Sequence, residues 1–303
     1  MTLTISPTTS TGTPTGLDVR PLSGTIGAEI RGVDLKRPLD DATVEAIRAQ
    51  LLRYHVVFFP GQHLSPDQHV AFGRYFGELT PAHPVIPSVD GYPELFEIDY
   101  QRTARLQATY GDVAHPYDGL SWHTDVTFVE RPPLGSILNA VVIPPSGGDT
   151  MFSDQQAAYA DLSAPLREFL EGLTAVHDGS RTFAPYINDP DKSDVEWEGE
   201  LYTAIQPVEH PVVRTHPETG AKVLFVNPGF TSHIKGFTAA ESDALLAYLY
   251  THSTKAKYTV RYHWQAGDLG FWDNRVTQHS VVGDFGDQPR VIQRVTIRGD
   301  KPV

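Results

Sequence analysis

The chain has 303 residues, 40% of them hydrophobic and 20% charged, an ordinary globular balance with length for one large core or two modest ones. Its formal net charge of -13 works against nucleic acid or an anionic membrane surface as partner, because both need a basic face, and no apolar run approaches the roughly 20 residues that span a bilayer. There is no cysteine, so disulfides, thiolate metal sites and cysteine nucleophiles are excluded, and a metal must be held by His, Asp, Glu or backbone oxygen. Met1 to Gly16 is rich in Thr, Ser and Pro and lacks the basic and apolar regions of a secretion signal. It reads as a disordered tail ahead of a single domain over 17–303, in a cytoplasmic protein. Asp40 to His55 predicts a helix capped by Asp40 or Asp41, with Val44, Ile47 and Leu51 on one apolar face. Val56 to Phe59 reads as a buried strand closed by Pro60-Gly61. A second helix starts at Ser65 with Pro66 in its first turn and Val70, Phe72 and Phe76 available to the core.

Further helices are predicted at Ser163 to Leu173 and Thr238 to His252, the latter opened by the capping-box spacing of Thr238 and Glu241. Strand-like runs lie at Leu134 to Val142, Val212 to Thr215, Val223 to Val226, Tyr258 to Trp264, Leu269 to Trp272 and Arg290 to Ile297. Helices early and strands late predict an α+β, mainly β chain on an antiparallel sandwich or barrel. Ile86 to Leu120 and Asp178 to Gly199 read as long loops, which in compact domains are usually lids or binding loops.

Two segments carry chemistry. In Trp122-His123-Thr124-Asp125, an extended strand would project residues i and i+2 to one face, presenting an imidazole beside a carboxylate. With a second histidine, that is the set that leaves open positions on iron(II). The bland alternative is a surface turn. Downstream, Trp272-Asp273-Asn274-Arg275 runs through to His279, followed by Arg290 and Arg294. Four apart on a strand, the two arginines share a face, and two buried guanidiniums call for anionic ligands. A pair of exposed arginines is the competing reading. His177, His210, His216, His252 and His263 read as satisfied core or surface groups, and Trp122 and Trp272 as packing that fixes the ligand segments.

From about Pro21 onward the chain resembles the taurine dioxygenase family of Fe(II)/2-oxoglutarate oxygenases, including its alkylsulfatase branch. The resemblance rests on Ile26-Gly27-Ala28-Glu29-Ile30, Trp122 to Phe128, Gly147-Gly148-Asp149-Thr150, His210 to Pro217, Trp272 to Arg275 with His279, and Gly299-Asp300-Lys301-Pro302. It implies a double-stranded β-helix (jelly roll) with helices outside. It also implies His123, Asp125 and His279 as Fe(II) ligands, and Arg290 with Thr150 at the distal carboxylate of 2-oxoglutarate. Arg294 and His83 would hold the anionic head of the substrate, and Val126, Phe128, Phe183 and Phe230 would surround its carbon. Ile86 and Gly119 stand where taurine-specific members carry polar partners, which predicts a more apolar-tailed anion than taurine.

The implied activity is hydroxylation of a small anionic organic substrate, a sulfonate or alkyl sulfate, with O2 as the other cosubstrate and succinate and CO2 released, by an enzyme that assembles as a homo-oligomer. A carboxylate or phosphonate of secondary metabolism is the alternative within this chemistry, and halogenation is disfavoured because Asp125 fills the halide position. A zinc hydrolase on a β scaffold would also accept two histidines and a carboxylate, but leaves Thr150, Arg290 and Arg294 without a purpose. A non-catalytic module of the same fold would be expected to have lost a ligand.

Overall fold

The computed structural model describes residues 16–101, 122–180, 182–183, 196–197, 200–201 and 205–303. Residues 1–15 of the predicted tail, Gly119, and much of both long loops lie outside that set.

The organising element is β3 (Val56–Phe59), in which all four residues are buried. Successive side chains of a strand point to opposite faces, so a fully apolar strand needs a cover on each. Val57 and Phe59 pack in one cluster with Ile47 and Leu51 of α1 (Asp41–Tyr54) and Phe72 of α2 (Pro66–Arg74). Val56 and Phe58 pack on the other side. The sheet around β3 has seven strands: β1 (Asp18–Pro21), β2 (Ala28–Arg31), β3, β15 (Leu269–Asp273), β5 (Gly135–Val142), β17 (Val291–Ile297) and β4 (Phe96–Asp99), in that spatial order. Only β2 and β3 pair in parallel; the other neighbours in this sheet are antiparallel.

The face opposite α1 and α2 meets a second sheet of β14 (Thr259–Tyr262), β6 (Thr150–Asp154) and β16 (Thr277–Val281). Phe152, Val260 and Tyr262 from this sheet join Phe58, Leu138, Ala140, Trp272 and Ile292 from the first in one apolar layer. Two facing sheets with unjoined edges make an open jelly roll. A third cluster binds α3 (Gln155–Ala160), α4 (Ala164–Glu171) and α5 (Ala239–Ser253) to a sheet of β10 (Val208–Pro211), β7 (Thr174–His177) and β13 (Thr231–Ile234). Short pairs, β8 (Glu196–Trp197) with β9 (Glu200–Leu201) and β11 (Val213–Thr215) with β12 (Lys222–Leu224), complete the strands among the described residues.

Helix ends follow their capping chemistry. The Asp40 side chain accepts from the Thr43 N–H, and His55 closes α1 in the left-handed region at φ 64°. Ser65 with Gln68 and Thr238 with Glu241 form capping boxes. The expected order of helices early and strands late holds only in part, since β1 and β2 precede α1 and α5, the longest helix among the described residues, lies late in the chain.

Candidate active site

His123 and His279 are brought together by an isolated antiparallel bridge, with each N–H donating to the other's carbonyl at 3.0 and 2.8 Å. Residues opposed across such a bridge send their side chains to one side, and the two rings stand 4.3 Å apart. Asp125 Oδ1 lies 3.8 Å from Nε2 of each histidine. Ligand atoms of the three residues all fall within 4.8 Å of one another, in an arrangement able to hold a metal ion.

The route to this geometry differs from the predicted strand. His123 makes a single bridge, and the chain then turns at Asp125. Val126 adopts φ 54°, a conformation strained for a β-branched side chain, so the chain leaves the extended path directly after Asp125. Close approach is made possible by Gly229: a Cβ there would stand 2.8 Å from Cβ of His123. His279 is oriented by packing, with Trp272 and Phe152 ring centroids 4.8 and 5.8 Å away, and its Nδ1 is buried without a hydrogen-bond partner.

Charge matches the donor set. Burial alone would raise the Asp125 pKa, but the Arg294 guanidinium, the two imidazoles and the Ser136 hydroxyl outweigh it and hold the carboxyl well below the usual carboxylate range. Burial, reinforced by His123, pushes His279 down to about 3. At neutral pH the cluster thus offers a carboxylate and a neutral imidazole at His279, the protonation states a divalent metal requires.

Arg294 lies on the inner face of the seven-stranded sheet, on the parity of Ile292, and Arg290 immediately precedes β17; they are 7% and 1% exposed, which rules out the reading of a solvent-facing pair. Arg290 Nε donates to the Gly148 carbonyl at 3.2 Å. Gly148 sits at φ +72°, and a Cβ on it would meet Arg290 Nε at 3.1 Å, so glycine makes this cradle. Thr150 Oγ1 accepts the indole N–H of Trp264 at 2.9 Å. Because an indole only donates, the Thr150 hydroxyl keeps its own proton for an acceptor. Arg294 Nη1 donates to Asp125 Oδ1 at 2.5 Å, its guanidinium lies 5.1 Å from the Phe96 ring centroid, and its Nε is buried without a partner.

His83 is buried. Its Nδ1 accepts the Val85 N–H at 3.2 Å, and burial, with the nearby Arg294 charge, keeps its pKa well below the ordinary value. A neutral imidazole accepting at Nδ1 carries its proton on Nε2. Around it Val126, Phe128 and Phe230 form a buried apolar cluster, with Phe183 partly buried against it. Centroid separations are 4.6 Å for His83–Phe183 and 4.9 Å for Phe128–Phe230. Ile86 belongs to the same cluster.

The family model described as "Taurine catabolism dioxygenase TauD, TfdA family" matches residues 18–296. The chain belongs to the TauD/TfdA family. An alpha-ketoglutarate-dependent sulfate ester dioxygenase of Pseudomonas putida is 45% identical over 95% of this chain and 91% of its own length. An alkylsulfatase of Acinetobacter baylyi is 40% identical over 94% of this chain and 86% of its own. Among solved structures, a taurine dioxygenase from Burkholderia xenovorans superposes with a TM-score of 0.77 at 44% identity, covering 95% of this chain and 92% of that one. Membership makes the jelly roll the family fold and the chain an Fe(II)- and 2-oxoglutarate-dependent dioxygenase that consumes O2, and it sets aside the zinc hydrolase and the non-catalytic module.

Within this TauD/TfdA chain His177, His210, His216, His252 and His263 each have a hydrogen-bond partner on at least one ring nitrogen, while His177 Nε2 and His210 Nδ1 are buried without one. His177 bonds Thr127, His210 the Thr127 and Val129 carbonyls, His216 Asp273, His252 the Ala158 carbonyl and His263 Asp149. None belongs to a candidate metal cluster among the described residues. Sequence reasoning missed Ser136, Asn274, Phe96 and Gly229. Ser136 had a signal, a polar residue on the inward parity of an apolar strand beside Leu138 and Ala140. No helix among the described residues is long and apolar enough to cross a membrane.

Proposed function

We propose that this dioxygenase hydroxylates a sulfate ester or sulfonate carrying an apolar tail. The observation that carries this reading is a buried apolar cluster, with Ile86 in it, wrapped around His83 beside the Arg294 guanidinium and the histidine–carboxylate triad. The names of the similar Pseudomonas and Acinetobacter proteins support the substrate class. Residues 17–303 act as one catalytic domain, and we read the enzyme as cytoplasmic and built from identical copies, on sequence grounds alone.

In this reading His123, Asp125 and His279 hold Fe(II). The Arg290 guanidinium receives the distal carboxylate of 2-oxoglutarate with the Thr150 hydroxyl donating beside it, since guanidinium and hydroxyl both supply charge-assisted bonds to a carboxylate. Arg294 and the Nε2–H of His83 receive the sulfate or sulfonate head. Val126, Phe128, Phe183 and Phe230 exclude water and orient the adjacent carbon. Bound iron and 2-oxoglutarate supply the oxidising chemistry with O2, releasing succinate and CO2. Hydroxylation on the carbon that bears the sulfate or sulfonate gives an adduct that collapses to an aldehyde and sulfate or sulfite.

Substrate-coupled succinate formation tests this. A longer alkyl sulfate should outperform taurine, by roughly tenfold for two further buried methylenes at about 0.8 kcal/mol each, and His279→Ala should abolish coupled turnover on either. A clear preference for taurine, for a carboxylate or for a phosphonate would refute the substrate assignment. Normal turnover and metal content in His279→Ala would refute the triad.

A further inference from the structure

A directed chain of hydrogen bonds ends on the Asp125 carboxylate. The Trp272 indole Nε1–H donates to Asn274 Oδ1 at 3.0 Å, Asn274 Nδ2 donates to Ser136 Oγ at 3.0 Å, and Ser136 Oγ donates to Asp125 Oδ2 at 2.6 Å. Its polarity is fixed by chemistry. An indole can only donate, so the amide of Asn274 must turn its oxygen toward Trp272 and its NH2 toward Ser136. A hydroxyl that has accepted that N–H has one proton left, and Asp125 Oδ2 is the acceptor in reach. Trp272, Asn274 and Ser136 are each no more than 1% exposed, so water does not compete for these bonds.

We infer that Ser136 is a positioning residue that makes Asp125 a one-oxygen ligand. The inference rests on the reading of His123, Asp125 and His279 as the metal site. With Oδ2 taken by the hydroxyl, Oδ1 is the oxygen turned to both histidines, 3.8 Å from each Nε2. Arg294 also contacts Oδ1; a carboxylate oxygen has two lone-pair directions, so this leaves one for a cation. Holding the carboxylate to one oxygen limits the protein to three donor atoms and preserves open positions for cosubstrate and O2. The scaffold suits the task. Ser136 lies on β5 hydrogen-bonded to β15 and β17, and Asn274 follows β15 directly, so the relay hangs on the rigid centre of the larger sheet.

Co(II) is the probe, titrated without 2-oxoglutarate or turnover and followed by visible d–d absorption. Ser136→Ala should bind Co(II) about 10–100-fold more weakly, the usual effect of losing a partner behind a metal ligand. Its spectrum should also change, because the freed carboxylate offers both oxygens and raises the coordination number. Asn274→Ala, which keeps the hydroxyl but releases its orientation, should shift affinity and spectrum the same way by less, and it carries the test if Ser136→Ala does not fold. Affinity within twofold of wild type overturns the inference. So does weaker binding with an unaltered spectrum, which is what general loosening of the fold would give. Failure of the wild-type protein to bind Co(II) would instead remove the triad reading beneath it.

Discussion

Arg290 and Arg294 are both buried, Arg290 donating to the Gly148 carbonyl and Arg294 ion-paired with Asp125. Charge-assisted bonds from guanidinium are worth roughly 1.5–3 kcal/mol. Arg290→Ala should therefore raise the 2-oxoglutarate concentration needed for half-maximal coupled turnover by about tenfold or more, and Thr150→Ala by a few-fold. An unchanged 2-oxoglutarate requirement in Arg290→Ala would move the cosubstrate elsewhere. Residue type alone left bland alternatives open, a surface turn for His123 and Asp125 and an exposed pair for Arg290 and Arg294, and it was the resemblance to the taurine dioxygenase family that nominated these groups. Ser136 was not so legible: serine is ordinary in a strand, and only the direction of its hydrogen bonds gives it a purpose.

At the scale of elements, legibility followed local chemistry. α1, α2 and α5 were readable because Asp40, Ser65 and Thr238 satisfy their first free N–H groups. α3 was missed, since six residues are too few to show a helical period. The predicted strand at His123–Asp125 is reduced to one bridge at His123 with a turn from Asp125 onward, although the two side chains do stand side by side as expected. β3 was correct and carries weight. Phe58 stacks on Tyr262 with centroids 3.7 Å apart and meets Phe152 and Trp264 edge-on at 5.6 and 5.7 Å. Phe58→Ala should lower unfolding stability by about 3–5 kcal/mol, against less than about 0.5 kcal/mol for Phe169→Ala, which is 49% exposed. Urea midpoints at constant m-value measure both, and equal midpoints would deny that the layer between the sheets bears the load.

For the whole molecule, the buried histidines predict sensitivity to acid. Burial pushes His69 and His210 down to about 4 and holds His83 and His177 well below the ordinary value. A folded-state pKa below the unfolded value of about 6.5 means that the unfolded chain binds the extra proton first. The contribution is complete above pH 6.5 and is lost as pH falls toward 4. For His69 and His210 it amounts to about 1–2 kcal/mol each by pH 5, so the urea midpoint should drop steadily from pH 7 to 5. A flat profile would mean that these imidazoles reach solvent. The sheet that lies between helices and a second sheet has a different consequence, for isotope labelling. Backbone amides of β3 and β15 are covered on both sides and should take up deuterium only when the entire chain opens. The amides of His123 and His279 hang on a lone pair of bonds and can exchange through a local opening. Deuterium uptake would then clock the movements of the site separately from the unfolding of the protein that carries it.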